Sequence, residues 1–589
     1  MFHALGAKRQ DRKTTRRPPV AAALGGALVF AAALGILAPA APAQSSYETL
    51  ERLLPAATIG VLTLPSTNHV QDILNVWYAA FQGGKSPSDS DVPDVLHDIA
   101  ELIGMDPRYI DPQRPILGAF SLALAGAPPM PTVIVPVHDE AKTLAAFEFR
   151  ESSPFSTTHA GGDGYVVLTA VPEYVPDAGR FELGAPRNPD DVRLALDLAT
   201  LYETFGPMLQ YFLSAMVQEM QEETGGPSML EPTTRAAEWL QDVLENAERL
   251  ELTLAAAQER VRLSSTLRSR PGSPPFVPVY PSDRMLDLTR LLDEDAAALV
   301  FVSADMRAFY DWSMAIQEGE LTKQLDQTSE QGEAFLALLE YGSQLQRLLA
   351  GPNAYTIDFG AHGIDAVHVM QVEDGGSFVE IFRQAMASLR ALEPLGLALH
   401  EGDATRLEGV DVYTWRASFD SDRAAVRPQT EPAPTRDLAE IHRRLFGGAE
   451  GIARLAVVDD IAVFVVHPDA KRMREILKRI QSKSGYVPKR LRTLAEQHGT
   501  APWLVGDADL HRLLAGFFDA LINPDALENP DAYREFLKGP AVPVSVASSQ
   551  GPGVLHSEFT ANVRALASFF EALSHIFPEK KRASKNPDG

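Results

Sequence analysis

The sequence predicts an α+β fold of duplicated β-α-α-β-β-α units, with mainly antiparallel sheets and helices packed on one face. Three observations predict it. The order strand, helix, helix, strand, strand, helix recurs four times, opening at Thr58–Leu64, Val192–Leu196, Ala296–Val302 and Pro502–Val505. Leu50-Glu-Arg-Leu-Leu54 is echoed by Leu288-Thr-Arg-Leu-Leu292, and each stands at the same distance before its strand. A polar helix cap follows the opening strand in each unit: the Ser66 region, Asp197, Asp305 and Asp507. That order is a split βαβ arrangement with one extra helix, so helices stacked on a sheet are expected.

The elements follow from local pattern. In the first unit, Thr58–Leu64 is a short apolar run in which β-branched residues are prominent, and Val70, Ile73, Leu74 and Trp77 share one face of a helix ending near Phe81. Val92–Gly104 repeats that spacing with Val95, Ile99 and Leu102. The runs Ile116–Leu124 and Thr132–Val137 flank a Gly/Pro-rich loop, and a helix follows from Asp139-Glu140 to about Phe149. The second unit reads as Val192–Leu196, a long helix from Leu198 to Met220, a helix Ala236–Ala247, strands Leu250–Ala257 and Val261–Leu267, and a closing helix Ser282–Leu292. The third has a helix from Asp305 to about Gln317, a helix Glu333–Leu349, and strands Tyr355–Phe359 and Asp365–Val372 around Gly360-Ala-His-Gly363. Its last helix is Gly376–Leu392. The fourth has helices Ala508–Leu521 and Asp531–Leu537, strands Val542–Ala547 and Gly553–Thr560, and a closing helix Ala561–Phe577.

These units divide the chain into a first half, 44–275, and a second half, 283–577, the latter carrying an insertion at 393–500. Within the insertion, Leu397–Glu401 and Val410–Ala417 read as strands, and Ala453–Val458 and Ile461–Val466 form a hairpin turning on Asp459-Asp460. Pro/Ser-rich stretches at Ser269–Ser282 and Ser421–Arg436 read as exposed, mobile linkers, and residues 578–589 as a disordered tail.

Residues 1–43 read as a signal peptide. Lys8, Arg9, Arg12, Lys13, Arg16 and Arg17 precede an apolar run from Val20 to Leu37, and Ala41-Pro42-Ala43 supplies small residues before Gln44. The competing reading is a retained membrane anchor, since the run is long enough to span a bilayer. Arg16-Arg17 is a twin-arginine pair, but Pro18-Pro19 follows it. The reading places the mature protein in the periplasm or outside the cell, with no membrane span after cleavage.

Composition narrows the function. The formal net charge is −25, and removing the leader makes the chain more acidic still, so a phosphate-backbone partner is disfavoured. There is no cysteine, which excludes disulfides, thiol catalysis and Cys-ligated zinc.

The polar clusters read as structure before chemistry. His138-Asp139-Glu140 lacks the spacing that sets two imidazoles on one helical face, and acids suit a helix N-terminus. Asp507, Asp509 and His511 read as a cap and a helix surface, Asp459-Asp460 as a polar turn, and Gly375-Gly376-Ser377 as a helix start. Gly161-Gly162-Asp163-Gly164 reads as a tight turn, and no Gly-x-Ser-x-Gly elbow occurs. No catalytic residue, metal ligand or cofactor site is assigned. One segment points to a ligand. The helix Phe205–Met220 presents Met208, Phe212 and Met216 among other large apolar side chains; a core face is the plain reading, and a groove for an apolar or lipid-like ligand the sharper one.

Leu54-Pro55-x-x-Thr58-x-x-Val61, the strand and helix there, and the duplicated layout resemble a group of uncharacterised exported bacterial proteins carrying a domain of unknown function. The likeness covers roughly the first 220 residues after the leader. It implies export and carries no activity or site residues. The expected function is therefore a non-catalytic exported binding or envelope scaffold protein, with an apolar-ligand carrier and an exported hydrolase as alternatives.

Overall fold

The computed structural model describes residues 50–81, 93–122, 129–147, 154–171, 173–176, 181, 191–208, 210–211, 241–257, 260–280, 288–305, 330–420, 436–497 and 502–576. Its strands form a single antiparallel sheet of nineteen among these residues, not several sheets. They are β1 Thr58–Leu64, β2 Ile116–Ser121, β3 Met130–Pro136, β4 Thr157–Gly162, β5 Tyr165–Thr169, β6 Val192–Asp197, β7 Ala247–Ala257, β8 Arg260–Ser269, β9 Ala298–Val302 and β10 Leu349–Gly360. The rest are β11 Gly363–Val372, β12 Leu397–Glu401, β13 Thr405–Leu407, β14 Val410–Phe419, β15 Glu450–Val458, β16 Ile461–Val466, β17 Pro502–Asp509, β18 Pro543–Gly551 and β19 Val554–Asn562.

The halves meet where β8 pairs with β19, in a ladder from Arg260↔Asn562 to Arg268↔Val554 with Ser264↔Glu558 at its midpoint. Outward from this seam the order is β8, β7, β6, β1, β2, β3, β5, β4 on one side. On the other it is β19, β18, β17, β9, β10, β11, β16, β15, β14, with β12 and β13 beyond. One cross-strand row in the first half runs Thr157, Thr169, Thr132, Ala119, Val61, Ala195, Glu251, Thr266. A row in the second half runs Arg454, Val465, Val367, Thr356, Leu299, Asp507, Ser545, Thr560.

β1 and β5 are buried on both faces, which is why apolar residues dominate them. Val61, Leu117, Ile134 and Val167 pack on one face with Leu50 and Leu54, while Leu64, Ile116, Val135 and Leu168 pack on the other. The second face receives α1 Thr67–Phe81 and α2 Val95–Ile103 through Val70, Val95, Ile99 and Ile103. The short helix α3 Glu140–Ala146 adds Leu144 to this cluster.

In the second half, α4 Glu330–Arg347 and α5 Gly375–Ser388 contribute Leu345 and Phe378 to a cluster with Met370, Trp415 and Leu455. The helices are not confined to one face. After α6 Leu438–Leu445 come α7 Ala470–Ser482 and α8 Lys489–Gln497, which lay Met473, Ile476, Leu477 and Leu491 against Val367, Val369, Val463 and Val465. Residues two apart on a strand share a face, so Val367 and Val369 lie opposite Met370 and Val372. A sheet this wide exposes two apolar faces, and the insertion supplies the cover for one of them. Finally, α9 Leu510–Leu521, α10 Pro530–Phe536 and α11 Val563–Ile576 pack together through Ala515, Phe536 and Phe569.

Several local expectations shift. β17 runs on to Asp509, so Asp509 and not Asp507 caps the next helix. The stretch expected to be a loose linker at Ser269–Ser282 is fastened where it is described. Gln550 accepts from Val277 N at 3.0 Å and donates to Val277 O at 2.7 Å, and Phe276 is buried. The cap at Asp197 is present, its carboxylate accepting from Thr200 N at 2.9 Å. The helix expected from Asp305, the linker at 421–435 and the tail lie outside the described residues. Gly363 closes the β10–β11 hairpin at φ 77°, where a side chain would also meet the Leu445 carbonyl. No helix among the described residues is long and apolar enough to cross a membrane.

Candidate functional site

Carboxylates of the polar clusters singled out above make contacts within the fold. Asp139 accepts from Lys142 N at 3.1 Å and pairs with the Lys142 ammonium, whose hydrogen bond holds its carboxyl below the usual range. Glu140 accepts from Gly162 N at 3.3 Å. Asp374 accepts from the amides of Gly376 and Ser377, so the glycines there offer no free anion cradle. Asp459 sits in the β15–β16 turn at φ 54°, and Asp460 accepts from Gln371 Nε2 at 2.9 Å. In the β4–β5 turn Gly162, Asp163 and Gly164 all adopt positive φ.

Asp507 and Asp509 share a face of β17, and Asp509 and His511 line one cleft, but each is held by different partners. Arg490 donates to Asp507 Oδ2 at 2.7 Å and to the carbonyls of Glu294 and Ala296 at 2.6 Å each, tying α8 to β17 and to the entry of β9. Burial pushes the Asp507 carboxyl up despite that guanidinium. Asp509 accepts from Arg512 N and from Val542 N. His511 is buried, and its Nε2 lies 2.6 Å from Phe536 O, where it donates. Among the described residues no group of three or more His, Asp or Glu is placed to hold a metal ion.

Of the three residues proposed to line an apolar groove, Met208 is 52 % exposed. Phe212 and Met216 lie outside the described residues. Neighbouring Tyr211 is also exposed.

Two apolar features were missed by sequence reasoning. The first is a row across the seam: Val300, Gly506, Val546, Phe559, Leu263 and Leu254 stand side by side on six adjacent strands. Phe559 and Leu263, which pair directly, are 41 % and 46 % exposed. The row continues from Val300 through Tyr355, His368 and Phe464 to Leu455. His368 makes a T-shaped contact with Tyr355, its Nε2 has no hydrogen-bond partner among the described residues, and burial pushes its pKa down to about 4.

The second feature is a cavity of 240 Å³ between α9, α10 and α11. Ala532 and Phe536 of α10, Ala565, Phe569 and Ala572 of α11, and Val542 form its walls, with His511 at its base. Ser568, Glu535 and His575 are exposed at its rim. The available sequence signal was the spacing of Ala565, Ser568 and Ala572, which sets small residues along one face of the last helix. Beyond His511 and Gly539, which line both, lies a polar cleft of 550 Å³. Its cations are engaged: Arg512 with Asp358, Arg444 with Asp519, and Lys538 with Glu535.

No protein-family profile and no curated protein matches the chain. Among solved structures it is similar to one titled "Structure of crystal form I of TP0453", at 9 % identity and a TM-score of 0.21, over 49 % of this chain and 98 % of that one. A likeness at that level transfers neither fold nor function.

Proposed function

We propose that this is an exported, non-catalytic binding or envelope scaffold protein built from duplicated α+β units. The observation that carries the duplicated-unit part of the reading is the match between the two cross-strand rows. Val61 and Leu299 stand at the same distance after Leu54 and Leu292, the two segments already alike in sequence. Those segments cover the same face, Leu54 beside Val61 and Leu292 beside Leu299. Following the ladders from Val61 and Leu299 brings Thr266 opposite Thr560 in the correspondence, and hence Ser264 opposite Glu558. These two residues pair with each other at the middle of the seam. Such self-pairing is what a two-fold relation between the halves requires.

The non-catalytic part rests on the polar clusters, whose side chains cap helices, close turns and pair with arginines. The exported part rests on the basic and apolar leader before Gln44, and the resemblance to exported bacterial proteins agrees with it. A carrier of an apolar ligand is the second reading, favoured by the cavity beside His511.

Native mass spectrometry of protein recovered from the exported fraction of a bacterial host tests the reading. The expected species begins at Gln44 and holds an added non-covalent mass, either a partner chain or an apolar molecule. A chain that keeps its first 43 residues inside the cell and always flies bare contradicts it.

A further inference from the structure

We propose that the cavity between α9, α10 and α11 is a binding site for a small uncharged apolar molecule, a single aromatic ring or a short alkyl chain. The proposal deepens the carrier reading, on which its biological use rests, and moves the ligand from the Met208 helix to the second half of the chain.

The gap has a cause in the sequence. Where α10 and α11 face each other, Ala532, Ala565 and Ala572 supply methyl groups at positions that a close-packed interior would fill with larger side chains. The large residues around the gap, Phe536 and Phe569, contact each other at 5.5 Å between ring centroids and form its aromatic wall. The pocket, open at its rim, has 240 Å³ of space, more than the ~150 Å³ that suffices for benzene in an enclosed apolar cavity. An occupant would restore dispersion contacts that the lining side chains lack.

The chemistry of the wall selects against charge. His511 is the polar group at the base, and its Nε2 is committed to Phe536 O. The cations of the neighbouring cleft are held by carboxylates, so none faces an anion brought into the cavity. A charged ligand would be desolvated without a partner. Among the described residues Ser568, Glu535 and His575 stand at the rim, where Ser568 and His575 could receive a terminal hydroxyl.

The test is calorimetric titration of the whole chain with benzene, with 1-hexanol and with hexanoate. The expected result is saturable uptake of benzene and hexanol at one site, with hexanoate at least tenfold weaker. Ala565→Phe, which fills the cavity, should abolish uptake. If that variant does not fold, Ala572→Leu on the same helix face should weaken binding at least tenfold with an unchanged circular dichroism spectrum. No uptake by the native chain overturns the proposal, as does uptake that survives in a folded cavity-filling variant. Hexanoate binding as tightly as hexanol overturns the assignment of an uncharged ligand. Uptake of hexanol by a chain that carries nothing from the cell keeps the site and removes the carrier reading, whereas cell-derived cargo retained in the Ala565→Phe variant does the reverse.

Discussion

Ser557→Pro lowers the unfolding free energy by roughly 3 kcal/mol or more. Ser557 lies in β19 with Ser548 of β18 on one side and Ser265 of β8 on the other. A proline there removes a ladder donor from a strand with neighbours on both sides and forces its ring into one of them. The expected urea transition moves to lower denaturant and splits in two, because β8 and β19 are where the strands of the two halves join in the sheet. Ser557→Ala is the control. It removes only the oxygen that accepts from Ser548 Oγ at 2.8 Å, for a cost of about 1 kcal/mol. A proline variant within about 1 kcal/mol of the native chain would show that β8 and β19 do not pair.

Acid destabilises the protein through His368, and His368→Phe relieves it. The folded state holds this imidazole at about 4, against an ordinary value of 6.5, because burial penalises its cation. The ring lies in the apolar row between Tyr355 and Phe464. Below pH 6.5 the unfolded chain takes up a proton that the folded chain refuses. The contribution to stability is therefore whole above pH 6.5 and is lost as the pH falls towards 4. The full loss is about 3 kcal/mol. Phenylalanine keeps the shape of the ring and removes the titration, so the difference between variant and native chain isolates this group from the many carboxylates. Denaturation curves at pH 7 and pH 4 measure it, and equal acid losses in both proteins would place His368 in contact with water.

What the sequence disclosed was set by local chemistry. The apolar run Thr58–Leu64, the strand Leu397–Glu401 and the hairpin on Asp459-Asp460 need only their own residues and immediate neighbours to be recognised, and they stand where expected. Asp507 and Asp509 are both good capping residues, and only the pairing of β17 with β18 as far as Asp509↔Pro543 decides between them. The edge strand Thr157–Gly162 escaped notice because Thr-Thr-His-Ala-Gly-Gly carries little apolar signal. The helix Leu438–Leu445 was also missed, being short and placed just beyond a Pro-rich stretch.

The longer-range features had no local signature. Thr266 and His556, which touch across the seam, are 290 residues apart. Nothing in β8 or β19 alone says that they pair. The packing of α7 and α8 on the face opposite α5 likewise depends on where β15 and β16 join the sheet. The cavity depends on two small-residue faces meeting, and each alone reads as an ordinary helix. The large apolar residues around Met208 give a stronger local signal than a gap between small ones.

One sheet continuous across a self-paired seam joins the two halves, and a cross-link tests that most directly. The chain contains no cysteine, so Ser264→Cys with Glu558→Cys introduces a single possible disulfide. Directly paired residues on antiparallel strands bring their Cα atoms within the span that a disulfide requires. Ser264→Cys with Ser557→Cys is the control, since adjacent residues of a strand point to opposite faces. Mild oxidation should lock the first pair quantitatively within one chain and leave the second as free thiols. Equal cross-linking of both pairs, or none in the first, would contradict the register on which the two-fold reading is built.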